Sequence, residues 1–388
     1  MNAKELITNA DFDHAVSLRR QIHRHPELGF DLDNTVAIVK RELDSVGIPY
    51  TEEYGKGSVV GYLNWEGSGK VLAIRADMDA LPVEEKTGLP FSSEIPGRMH
   101  ACGHDSHTAA LLTVARVLKR VEKDLPCRVK LLFQPSEECE QSGAKMMMEN
   151  GAVDDVDLII CTHCDNAQPV GTIGWCAGDY MSACDPITIT FFGKTAHATL
   201  PEQGIDAIAM AEDAICAMKK IVKEEADGKF YVFSVGYFHG GTAHNVIADQ
   251  CVLKISHRYY DAGMRERIRT RCMACCEEVA KQYGGSVEIN WQMSAPALHN
   301  DEALTQKFVE SMEKIMPDQL LHLEPRRSTE DFAWFLQKKP GFLFRFGTGN
   351  AALGCTTLAH CNDFRMDENG ILRAMQAFTQ FVLDAGTL

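Results

Sequence analysis

The sequence predicts an α/β fold in which a mixed, largely parallel sheet forms one domain, interrupted by a smaller inserted α+β domain of ferredoxin-like order. Three observations carry this expectation. Strand-like apolar runs alternate with helical patterns through the first half of the chain, the rhythm of a parallel sheet. Three of those runs are followed at once by polar, chemistry-bearing residues. From about Asp185 the rhythm changes to β-α-β-β-α-β, and near residue 295 helix and short strand return.

Taken in order, Val71-Leu72-Ala73-Ile74 runs into Arg75-Ala76-Asp77-Met78-Asp79, Val129 to Phe133 leads to Glu137-Glu138, and Val156 to Cys161 leads to His163. Helical patterns at Thr35–Val46 and Thr108–Val121 alternate with these runs. Ligands in open α/β sheets gather beyond the carboxyl ends of strands, so three runs aimed at one edge predict a single site. The insert reads as strand Pro186–Phe192, helix Ile205–Glu225, strands Phe230–Phe238 and Cys251–Tyr259, helix Met264–Tyr283 and strand Ser286–Trp291. Leu304–Met316, Phe342–Phe346 and Gly370–Asp384 then complete the first domain. The expected division is 1–184 with 295–388 for the catalytic domain and 185–294 for the insert, with no internal repeat or low-complexity linker.

A chain of 388 residues, 45% hydrophobic and 24% charged, is long enough for two ordinary cores. A formal charge of −15, with no basic stripe and no aromatic stacking platform, argues against a nucleic-acid partner. No apolar run approaches the roughly 18 residues of a membrane span, and Met1 to Arg24 lacks the apolar stretch of a signal peptide. These features predict a cytoplasmic protein with no membrane partner. The 14 cysteines are spread through helical and strand-like segments, which predicts reduced thiols rather than a disulfide framework. Cys161 with Cys164, and Cys272 with Cys275, have C-x-x-C spacing, with Cys276 next to Cys275, but no matched second pair with histidines is apparent, so packing is their expected role.

The densest chemistry lies in Met99-His100-Ala101-Cys102-Gly103-His104-Asp105 and Gln134-Pro135-Ser136-Glu137-Glu138. Cys102 and His104 are two positions apart, and in an extended segment their side chains leave on one face. Thiolate and imidazole suit zinc-like ions, and adjacent carboxylates offer one oxygen donor and one group free to take a proton. A structural zinc site closes its shell with four protein ligands, whereas a hydrolytic site needs an open position and a base.

These motifs resemble the metal-dependent aminoacylase group, which includes hippurate hydrolases, N-acyl-amino-acid amidohydrolases and auxin-conjugate hydrolases. More distantly, the chain resembles carboxypeptidase G and succinyl-diaminopimelate desuccinylase. The residues that carry the resemblance are Leu18 to Gly29, Arg75 to Pro82, His100 to Thr108, Gln134 to Glu138, Pro169 to Gly174, His197, Gly240 to Ala243, Asn245 to Ile247, Glu330-Asp331-Phe332 and His360. They follow one another in order along essentially the whole chain.

The resemblance implies a metal-dependent amidohydrolase acting on N-acyl amino acids or similar amides with a free carboxylate. It implies two divalent ions per chain, zinc, manganese, cobalt or nickel, with Cys102 bridging them and His104, Glu138, His163 and His360 completing the shells. Glu137 would be the general base and acid, and Asp77 and Asp79 would tune histidine ligands from behind. His197 would supply the oxyanion donor from a partner subunit, making the insert a lid and dimerisation domain in a homodimer or higher homo-oligomer. Asn245 and Arg258 would hold the substrate carboxylate. The chain has Thr195-Ala196 before His197 in place of the usual Gly-Gly, and His244, His257, Tyr259 and Tyr260 flank the two anchors, so the walls of the substrate site differ from familiar members. His107 has no role in this reading. A dipeptidase or carboxypeptidase is the nearest competitor within enzymes, although no acidic anchor for a substrate ammonium is identifiable. A non-catalytic metal-binding protein would have no need for Glu137, His197 and Arg258 together, and a thiol redox protein would have none for His104, His163 and His360.

Overall fold

The computed structural model describes residues 1–387. It divides into two compact units, the first formed by Met1–Tyr180, His299–Pro325 and Glu330–Leu388 and the second by Met181–Leu298 with Arg326–Thr329.

The first unit is built on an eight-stranded sheet. Four central strands, Arg128–Gln134, Val71–Asp77, Leu158–Pro169 and Gly341–Gly349, lie side by side and parallel. Val59–Leu63 joins antiparallel at one flank, and the short Ile173–Trp175 pairs antiparallel with Gly341–Gly349 at the other. The central strands are buried along nearly their whole length, as strands inside a parallel sheet are. Ile74, Leu131, Ile160, Phe342 and Phe344 are all buried in one cluster with helix His104–Lys119 and helix Asn369–Asp384. This arrangement brings the C-terminal ends of Val71–Asp77 and Arg128–Gln134 together, and with them Asp77, Asp79, Glu137 and Glu138.

Two local expectations change. The strand expected at Val156–Cys161 runs from Leu158 to Pro169, so His163 lies within it rather than beyond its end. Its ladder with Val71–Asp77 stops at Cys161, while pairing with Gly341–Gly349 continues past His163. Cys102 and His104 are not on an extended segment. Gly103, at φ +85°, is the N-cap of a helix that begins at His104 itself. A side chain at Gly103 would collide with Cys164 Sγ, so both the conformation and the space demand glycine.

The second unit is a four-stranded antiparallel sheet in the order Ser286–Trp291, Ala183–Phe192, Gln250–Tyr259, Tyr231–Gly240. Helices Ala207–Ala226 and Ala262–Tyr283 supply the rest of its core, so the chain order is the β-α-β-β-α-β read from the sequence. Cys272 and Cys276 pack in this core, with Cys276 against Met218. Arg326–Thr329, expected with residues 295–388 of the first unit, clusters with the second. The reason is hydrogen bonding: Ser182 N–H and Oγ, Arg258 and Tyr260 all donate to carbonyls or hydroxyls of this segment.

Candidate metal centre

Within the first unit, five residues form two sets of donor atoms that share one thiol. In Cys102, His104 and His163, one ligand atom from each lies within 4.8 Å of the others, and the same holds for Cys102, Glu138 and His360. Cys102 Sγ is 3.3 Å from His163 Nε2, and Glu138 Oε1 is 3.0 Å from His360 Nε2. Glu137 joins His104 and Glu138 in a further set that excludes the cysteine. The two carboxylates thus differ: Glu138 shares sets with Cys102, His360 and His104, while Glu137 Oε2 lies 3.8 Å from His104 Nε2 in a set without the thiol.

Two of the three imidazoles, His104 and His163, are held at Nδ1. His104 Nδ1 bonds the carbonyl of Asp79 at 2.8 Å, and its Nε2 is buried with no hydrogen-bond partner among the described residues. His163 Nδ1 bonds the carbonyl of Cys164 at 2.7 Å. A carbonyl can only accept, so both rings carry a proton on Nδ1, and in the neutral form each presents a bare Nε2, the form a metal ligand needs. His360 adopts φ +71°, a strained value for a non-glycine residue, and its N–H bonds Ala101 O at 2.8 Å beside the Cys102 turn.

Asp79 fixes the carboxylate loop. Its Oδ1 accepts the N–H of Glu137 at 2.9 Å and its Oδ2 accepts that of Glu138 at 3.1 Å. Ser136, immediately before them, is also left-handed, at φ +54°. Asp77 accepts from Arg75 and His107 at 2.7 and 2.6 Å and lies 3.7 Å from His104 Nε2. Arg75 is fully buried and also contacts Gln134, Glu330 and Asp331. Sequence reasoning had assigned no role to Arg75, Glu330 or Asp331. The signal was present, because a charged residue stands inside a strand whose every position is buried.

Burial and the carboxylates of Glu138 and Glu137 push the Cys102 thiol well above its usual range. Burial, with Glu330, Glu138 and Asp331 nearby, likewise lifts Glu137 well above an ordinary carboxyl. Burial disfavours the charged form of His104, but Asp77, Asp79 and Glu138 outweigh it and raise the imidazole to about 10. The cluster thus gathers more negative charge than its protein surroundings neutralise. A soft thiol, three imidazoles and a carboxylate around an orphaned buried nitrogen fit divalent transition ions.

The other expected site residues lie in the second unit. His197 is exposed, and its Nδ1 takes hydrogen bonds from Thr199 N–H at 3.2 Å and Thr199 Oγ1 at 2.8 Å. An N–H can only donate, so the neutral ring carries its proton on the outward Nε2. His197 pairs with Val246 in an isolated β-bridge, and Ala198 N–H bonds Asn245 O at 3.1 Å, which brings the His197 and Asn245 loops together. Arg258 Nη1 bonds Thr329 Oγ1 at 2.6 Å and Arg327 O at 3.4 Å. His257 and Tyr259, read from the sequence as walls beside Arg258, are buried in the core around Asp185 because strand alternation turns them away from Arg258.

A family model described as peptidase family M20/M25/M40 matches residues 73–384, and the chain belongs to that family. It is 36% identical over 360 residues to N-acetyl-L-cysteine deacetylase of Bacillus subtilis, covering 92% of this chain and 85% of that one. It is 33% identical over 361 residues to thermostable carboxypeptidase 1 of Saccharolobus solfataricus, covering 92% and 91%. Its fold matches a Bacillus subtilis protein described as a dinuclear metal binding peptidase of the M20 family, with TM-score 0.84 and 31% identity over 97% of this chain and 99% of that one. The chain is a metal-dependent hydrolase of amide or peptide bonds, with a donor set for two divalent ions.

Because Cys102 and His104 both hold protons near neutrality and must lose them to bind metal, reloading chelated protein at pH 7 is expected to release about two protons per chain. Metal affinity should rise with pH, since below the raised values protons compete with the ions. Unbuffered titration with a pH indicator measures the release, and Cys102→Ser is expected to lower it by about one.

Proposed function

We propose that this chain is a dinuclear metal amidohydrolase that cleaves N-acyl amino acids, or similar amides with a free carboxylate beside the scissile nitrogen, to a carboxylic acid and an amino acid. The observation that carries the reading is the pair of donor sets sharing Cys102, with Glu137 beside them and outside both. Bound there, two divalent ions, zinc, manganese, cobalt or nickel, would supply Lewis acidity towards the amide carbonyl and the attacking water. Glu137 takes the proton from that water and returns it to the leaving amine. A carboxyl whose surroundings raise its proton affinity suits both steps. Asp79, through the N–H groups of Glu137 and Glu138, keeps the base and the ligand in separate orientations.

The second unit serves as a lid and dimerisation domain in a cytoplasmic homodimer or higher homo-oligomer. His197, with its proton on Nε2, donates to the oxyanion in the site of the partner subunit. Asn245 and Arg258 hold the carboxylate of the substrate. Similarity to a thermostable carboxypeptidase supports a second reading, in which the acyl group is itself an amino acid. Assays on N-acetyl, N-benzoyl, indole-acetyl and free dipeptide substrates with added Zn²⁺, Mn²⁺, Co²⁺ or Ni²⁺ separate the two.

Glu137→Gln is expected to retain two ions per chain by elemental analysis while turnover falls by roughly 10²–10⁴-fold. Glu138→Gln is expected to lose metal as well, and the reverse pattern would exchange their roles. Arg258→Ala should lower kcat/KM for the free acid about ten- to a hundred-fold, the loss of a charge-assisted hydrogen bond, and leave the methyl ester almost unchanged. Equal wild-type activity on acid and ester would remove carboxylate recognition from the account. Mixing inactive His197→Ala and Glu137→Gln subunits should restore part of the activity in heterodimers. Failure of rescue after demonstrated subunit exchange would mean that each site is completed within one chain.

A further inference from the structure

We propose that His107 is a positioning residue for the Cys102, His104 and His163 donor set, acting through the backbone of Cys164. The inference rests on the reading of those three side chains as ligands. His107 lies one helical turn after His104, wholly buried, and its Nδ1 bonds Asp77 Oδ1 at 2.6 Å while Cys164 N–H donates to its Nε2 at 2.9 Å. An amide N–H can only donate, so Nε2 is bare and the ring proton sits on Nδ1, directed at Asp77. Both nitrogens are therefore engaged. Although His107 lies within ligand distance of His163 and Cys164 in one set and of Asp77 and His104 in another, it has no lone pair left for an ion.

What His107 holds is the residue that orients His163. The ladder between Leu158–Pro169 and Val71–Asp77 ends at Cys161, so the Cys164 N–H lies beyond that pairing and finds His107 instead. The carbonyl of the same Cys164 takes the Nδ1 proton of His163 and so directs the bare Nε2 of His163 towards Cys102 Sγ. Cys164 is thus pinned at its N–H while its carbonyl sets a ligand. The His107 ring also packs edge-on against His163 at 4.7 Å between centroids and lies 5.5 Å from His104. Its other end is Asp77, whose second oxygen is held by Arg75 at 2.7 Å. A rigid path therefore runs from the buried guanidinium through Asp77 and His107 to Cys164, and from there to His163.

Two substitutions separate the halves of the imidazole. His107→Asn keeps a donor for Asp77 but removes the acceptor for Cys164 N–H, whereas His107→Gln places an acceptor oxygen near the position of Nε2. With the Co²⁺-loaded protein, chelator competition should resolve two ions. His107→Asn is expected to weaken one of them about 10–100-fold and leave the other within about threefold, while His107→Gln restores most of the loss. Equal loss in both variants, equal weakening of both ions, or no change in either would overturn the proposal. If neither variant folds, long-range ¹H–¹⁵N correlation of the loaded wild type decides: a bare, hydrogen-bonded Nε2 on His107 supports the inference, and a protonated Nε2 overturns it. A wild type that binds no ions would overturn the metal reading itself and this inference with it.

Discussion

The buried guanidinium of Arg75 is the constraint on which the candidate metal centre depends. It is removed from water in the middle of a parallel sheet, and its donors are taken by Asp77, Gln134, Glu330 and Asp331. Burial opposes its charge, yet the fields of Glu330, Asp77 and Asp331 bind the proton still more firmly than in a free arginine. Breaking a buried ion pair by removing one partner costs about 3–5 kcal/mol, so each of these groups is held against rotation. The consequence passes outward. Asp331 also accepts from Gln134 and Ser142, at either end of the loop that carries Glu137 and Glu138, and Asp77 accepts from His107 on the helix that carries His104. One buried cation therefore sets the relative positions of the elements that supply the donors.

Around that anchor the site is over-supplied with negative charge. Glu137 and Cys102 are driven towards their protonated forms, and His104 towards its charged form, all responses to uncompensated carboxylates in a dry environment. Divalent ions in the candidate donor set would offset the same imbalance. The carbonyls of Asp79 and Cys164 each hold the Nδ1 of a histidine, and the two Nε2 atoms converge near one thiol. Glu137 and Glu138 are chemically identical and adjacent, and what separates them is the direction of each side chain after Asp79 has taken both N–H groups.

Much of this was legible in the sequence, for identifiable reasons. The parallel sheet showed in runs of buried apolar residues, and the insert in its change of rhythm. The candidate donors showed because cysteine, histidine and paired glutamates stand close together in polar turns. Other features did not show because they depend on long-range geometry. The left-handed Gly103 turn, not strand alternation, brings Cys102 and His104 together. His163 is inside a strand because Gly341–Gly349 extends the ladder past it, and no local pattern announces that partner. The shift of Arg326–Thr329 to the second unit comes from side-chain bonds to loop carbonyls, which leave no periodicity to read. His107 has no role in the sequence reading because the partners of its two nitrogens, Asp77 and Cys164, are distant along the chain.

In the second unit, the departure from the usual Gly-Gly before His197 finds its compensation elsewhere. Ala196 O accepts the N–H of Ile247 at 2.9 Å, so the turn is tied to the loop that carries Asn245. The Ala196 methyl faces Gly204, where a Cβ would lie only 2.9 Å away and also 2.9 Å from the carbonyl of Lys194. Glycine at 204 thus provides the room that alanine at 196 occupies, and the space has moved across the loop rather than vanished. Three local contacts hold the His197 segment here: the bridge to Val246, the Ile247 bond and the cap from Thr199. Pre-organisation of a donor lowers the reorganisation needed when charge develops on a carbonyl oxygen. In the proposed function, where His197 is the oxyanion donor, a turn tied in this way would bear on the choice of acyl group as well as on rate.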